Sequence, residues 1–113
     1  MGSVELLRVL GNKYNAEILS ATGEPKSAQE LSDELGIPIA TSYRRIEELT
    51  EADLLELSGR EFSDEGRRTK VYRRDIDNIR ISFDADEIDV ELEDRPEVDN
   101  SLVDVWRDLK EEP

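Results

Sequence analysis

Apolar residues in the first half of the chain recur every three or four positions. In SVELLRVLGNKYNAEILSAT, Leu6, Leu7, Leu10, Tyr14 and Ile18 fall on one helical stripe. Gly11-Asn12 interrupts that stripe, and the Asn12 side chain is suited to cap a second helical piece. GEPK then predicts a turn, with Gly23 and Pro25 as breakers. Ser27-Ala28-Gln29-Glu30 has the spacing of a capping box, in which the serine hydroxyl takes an amide of the first turn and Glu30 reaches back. The short helix it opens buries Ala28, Leu31 and Leu35 and stops at Gly36. A further helix is predicted over 39–52, with Pro38 near its start, where a missing amide hydrogen costs little. Tyr43, Ile46 and Leu49 form its expected buried face, with Thr41, Arg44 and Glu48 opposite and Arg45 on the flank.

Past Asp53 the period shortens to two. LLELSGREF and RTKVYRR predict two strands around a Ser-Asp-Glu-Gly loop. Ile79, Ile81 and Phe83, then Ile88, Val90 and Leu92, alternate with polar residues around DADE, predicting a second hairpin with one buried and one wet face. After Pro96, Leu102, Val105, Trp106 and Leu109 share one helical face behind a Ser101/Asp104 capping pattern. The predicted class is α+β: a winged helix-turn-helix over 1–76, then an acidic β-hairpin and C-terminal amphipathic helix over 77–113 that form a candidate dimerisation extension.

Composition narrows the chemistry. The 113 residues fit one small domain, and no apolar run approaches the ~20 residues of a membrane span. The start of the chain lacks a basic region followed by an apolar stretch, so a signal peptide is not expected and a cytoplasmic location is. Cysteine and histidine are both absent, which removes disulfides, thiolate chemistry, the commonest zinc sites and the usual general base. No cofactor or metal is expected. An enzyme would have to work with carboxylates alone, and no paired-acid spacing points to one. The alternating acids of DADEIDVELEDRPEVD lack the glycine and spacing of a calcium loop.

Charge changes the picture further. Acids number 29 and bases 15, a net charge of −14, which reads as adaptation to concentrated salt, where self-repulsion is screened. The charge is segregated: from Ser82 onward there are thirteen acids and three bases. Against that background GREFSDEGRRTKVYRR holds six bases (Arg60, Arg67, Arg68, Lys70, Arg73 and Arg74) and only three acids.

Two helices joined by a Gly-containing turn and followed by a hairpin present the second helix to a DNA major groove and the hairpin to the flanking backbone. Arg44 suits bidentate pairing with guanine, Thr41 and Ser42 suit bases or phosphates, and Arg45 suits a phosphate. Arg67, Arg68 and Lys70 would lie over the backbone or an adjacent minor groove. SAQELSDELGIPIATSYRRIEELTEADLLE resembles the helix-turn-helix of ArsR-like winged-helix regulators of haloarchaeal type. LGNKYNAEIL is similar to that family's first helix and DEGRRTKVYRR to its wing, covering about two thirds of the chain. The resemblance implies a dimeric repressor or activator that binds double-stranded DNA, with 39–52 as recognition helix. It does not carry over metal sensing, since the cysteine and histidine ligands are missing. Asp53 stands where the family commonly has glycine.

Plainer assignments compete at several positions. Arg44 and Arg45 can pair with Glu47, Glu48 or Glu51 on a solvated face. Arg60 and Lys70 can pair across the hairpin with Glu61 or Glu65, and Arg73 and Arg74 with Asp75, Asp77 or the acidic C-terminal region. Tyr43 and Tyr72 are expected in the core, and Trp106 either on its own domain or in a dimer interface. A winged-helix module that docks on the transcription machinery without reading DNA is the rival function.

Overall fold

The computed structural model describes residues 2–62 and 68–94. Four helices come first: α1 (Ser3–Leu10), α2 (Lys13–Ala21), α3 (Ala28–Leu35) and α4 (Ile39–Glu51), with a two-residue strand β1 (Lys26–Ser27) before α3. Strands β2 (Leu55–Phe62) and β3 (Arg68–Arg74) form the first hairpin, and β4 (Ile76–Asp84) and β5 (Glu87–Asp94) the second. The class is α+β and the arrangement a winged helix-turn-helix with an added hairpin. The expected C-terminal helix around Trp106, and Arg67 at the wing tip, lie outside the described residues.

Local chemistry sets the helix ends. The Asn12 Oδ1 accepts from the amides of Tyr14 (3.0 Å) and Asn15 (3.4 Å), so α2 starts where the stripe breaks. The Ser27 Oγ accepts from the Glu30 amide and the Glu30 carboxylate accepts from the Ser27 amide, both at 3.0 Å, completing the capping box. Gly36 ends α3 at φ 66°, a left-handed conformation that glycine adopts without a Cβ penalty. Asp53, just past α4, holds a similar φ of 61°, which is why glycine is common at such a place.

One hydrophobic core joins these elements. Ile18, Leu31, Leu49 and Leu54 are fully buried, and Leu6, Val9, Ile37, Ile46, Leu55 and Ile76 pack around them. Each fully buried aliphatic side chain contributes about 1.5–3 kcal/mol, so the helix-turn-helix and the strand leading from it share a common source of stability. The three-stranded sheet runs β1-β3-β2, all antiparallel, with a bulge between Leu57 and Gly59. β1 was not expected: GEPK reads as a turn, yet Lys26 and Ser27 pair with Tyr72 and Val71. Two paired residues are too few to leave a periodic signature, so only the proximity of β3 makes them a strand.

At the joint between the hairpins, Arg74 donates to the carbonyls of Ile76 (3.0 Å) and Leu19 (2.8 Å), the latter in the last turn of α2. A cation near a helix C-terminus also meets the favourable end of the dipole. Arg74 is thus a structural brace between the two hairpins and α2.

Candidate nucleic-acid interface

α4 meets the rest of the protein through Ser42, Ile46 and Leu49, all buried. Its outward stripe is Ala40, Tyr43, Arg44, Glu47 and Glu51. Two expectations therefore need correction. Ser42 is fully buried and its hydroxyl donates to the Ala28 carbonyl at 2.8 Å, so it ties α4 to the first residue of α3 and presents nothing to DNA. Tyr43 is 59% exposed and is no core residue. The close approach of α3 and α4 leaves room at this level for a hydroxyl and not for a phenol. The small Ser42 turns inward, and its bulky neighbour, about 100° around the helix, turns outward.

Arg45 takes the ion pair with Glu48 that competed with a phosphate role. Its guanidinium lies 2.6 Å from the Glu48 carboxylate with only 16% of its side chain exposed. Glu48 in turn accepts from the Asn15 side chain at 3.5 Å. Arg45 therefore sits in a polar seam between α2 and α4. Arg44 is exposed, and among the described residues it has neither a carboxylate partner nor a hydrogen bond. Thr41 is half-buried on the same helix.

The wing divides its bases in two. Arg73 pairs with Glu56 directly across the ladder at 2.7 Å, and Arg74 is held by carbonyls as described. Arg60, Arg68 and Lys70 are exposed, with no ion pair among the described residues. Arg60 and Lys70 face each other in register, and like charges directly opposite destabilise a strand pair. Folding gains nothing from that pairing.

Gln29 from α3, Tyr43 from α4, and Arg68, Lys70 and Tyr72 from β3 line a cleft of about 220 Å³. The cleft is smaller than the ~300–1,000 Å³ of ordinary small-molecule sites, and Arg68 and Lys70 share its lining with Tyr43 and Tyr72. Such a cleft suits a segment of polyanion backbone better than an enclosed metabolite. Tyr43, like Ser42, lies on the opposite side of α4 from the one its sequence position predicts. Its signal was available in the adjacent Ser42, whose small side chain fits a tight helix crossing.

Residues 10–58, from the end of α1 through α4 into β2, match the family model of a helix-turn-helix domain. No curated protein matches the chain. The helix-turn-helix match agrees with the winged helix-turn-helix arrangement of the structure, a fold whose second helix can be presented to DNA. Among the described residues no helix is long and apolar enough to cross a membrane, and no cluster of side chains suits a metal ion.

Proposed function

We propose that this protein is a sequence-specific transcriptional regulator of the ArsR-like winged-helix type that binds double-stranded DNA as a homodimer. α4 enters the major groove with Tyr43 and Arg44 toward the bases and Thr41 at the groove edge. Arg60, Arg68 and Lys70, with Arg67 at the tip, rest on flanking phosphates. The observation that carries this reading is the cationic register of the wing, Arg60 opposite Lys70 with no ion pair among the described residues, in a chain of net charge −14. Cations kept together where acids are abundant, at a cost to strand pairing, fit an external anion. The acid-rich remainder suits a cell interior of high salt, as in haloarchaea.

Two copies related by a two-fold axis would recognise pseudo-palindromic half-sites about 10 bp apart. Genome-wide occupancy of the tagged protein supplies the operator, and titration of that duplex supplies the affinities. Arg44→Ala is expected to cost about 1–3 kcal/mol on the operator and little on unrelated DNA. Lys70→Ala should weaken both duplexes alike and lower the slope of log K against log salt by about 0.9. Binding that survives both substitutions unchanged, or an absence of DNA binding, would remove the proposal.

A further inference from the structure

The wing has two unlike faces. Residues directly opposite in an antiparallel pair point to the same side, and the side alternates along each strand. Arg60 with Lys70 and Leu57 with Tyr72 therefore share one face, and Arg68, two positions from Lys70, joins them. Glu56 with Arg73 and Glu61 with Thr69 fall on the other. The register thus puts both acids of β2 on the face away from Arg60, Arg68 and Lys70.

That cationic face turns toward the helices. Arg68, Lys70 and Tyr72 meet Gln29 of α3 and Tyr43 of α4 in the cleft of about 220 Å³. Among the described residues no acid lines this cleft, although the chain has 29 acids. Tyr72 is half-buried against the core, whereas Tyr43 stands exposed. Cations alone suffice to hold a phosphate. Exposed phenol rings beside them add little to contact with a duplex, whose stacked and paired bases show only their edges. An unpaired base shows its π-face, and that face stacks on an aromatic side chain whatever the base.

We infer that the cleft between the wing and α4 binds single-stranded nucleic acid, with one base stacked on Tyr43 and the neighbouring phosphates on Arg68 and Lys70. These two cations stand two residues apart on one strand, about 7 Å, close to the phosphate repeat of an extended single strand. Arg60, opposite Lys70, continues the cationic track across the wing, and a phosphate over that pair relieves the repulsion between them. The cleft's volume suits one base and not a paired duplex. Single-strand binding is a property separate from duplex recognition, and its test requires no operator.

Anisotropy titrations with the full-length protein would use labelled oligo(dT) and oligo(U), each beside an abasic strand of the same sugar and length. At least one base-bearing strand should bind about fivefold or more tighter than its abasic counterpart, the lower end of what one stacked base contributes. The arm that does so identifies the sugar. That ratio should hold between about 0.1 and 1 M potassium chloride, because stacking is not ionic, while every affinity falls. Tyr43→Leu should bring the ratio to one, and Tyr43→Phe, which restores a ring, should retain it. Lys70→Ala should weaken abasic and base-bearing strands alike. Equal binding of the two kinds of strand, a ratio that survives Tyr43→Leu, or no binding of any strand would overturn the inference. None of these results bears on the operator titrations, which use paired DNA.

Discussion

Ser42 and Tyr43 are adjacent residues with opposite fates, and the energetics follow from burial. The Ser42 hydroxyl satisfies a carbonyl at the base of α3 in a fully buried site. Ser42→Ala removes a hydrogen bond from a buried helix contact and is expected to cost about 0.5–1.5 kcal/mol of stability, read from the urea midpoint. Its effect on DNA binding should not exceed what lost folding explains. Tyr43→Ala removes an exposed ring, so stability should stay within about 0.5 kcal/mol of the parent. Its expected loss is in operator affinity, measured by titration. The reverse pattern would return Tyr43 to the core and Ser42 to the interface. Arg44 and Arg45 separate for a similar reason: among the described residues Arg44 makes no ion pair, and Arg45 has already found Glu48.

Among the elements, the joint between the wing and the second hairpin concentrates acids. Burial comes first in raising the Asp75 carboxyl above its ordinary 3.8, with Glu56 and Asp94 adding to it and Arg73 opposing. A carboxyl raised in the folded state supports folding below its unfolded value, and that support is lost as pH rises through the folded value. Asp75→Asn should therefore increase stability at neutral pH. The gain should shrink on acidification and vanish below pH 3.8, as denaturant midpoints across that range would show. A gain independent of pH would mean that the carboxyl's ionisation is not responsible. The same joint holds Arg74 on the Leu19 carbonyl, so the wing's base is anchored to α2.

For the molecule as a whole, net charge governs how folding responds to salt. At −14, self-repulsion opposes compaction, and at about 1 M salt the Debye length falls to about 3 Å. The thermal midpoint is expected to rise as potassium chloride increases from about 0.1 to 1 M. DNA affinity should fall over the same range, because the wing cations lose their counterion-release advantage. Opposite signs for the two responses would distinguish local cation–phosphate contacts from the general effect of charge screening. A salt-insensitive midpoint would show that the acidic surface carries no net folding penalty.

The helices, the capping box at Ser27 and Glu30, the Asn12 cap, the Gly36 stop and both hairpins were legible because each is written in a local period or a local hydrogen bond. Such features need only neighbouring residues, so the chain's own order states them. The wing's excess of cations was legible for the same reason: it is a count within one segment. What only the tertiary structure decided was the fate of individual side chains. It turned Ser42 inward and Tyr43 outward, gave Arg45 to Glu48 and Arg74 to two carbonyls, and made a strand of Lys26 and Ser27. Those outcomes depend on which element lies against which, at distances of a few ångströms, and a one-dimensional pattern holds no such distance. The sequence by itself therefore determined that a winged helix-turn-helix would form. The packing of α3 on α4 and β1 on β3 determined which of its described side chains are buried or paired and which stand exposed.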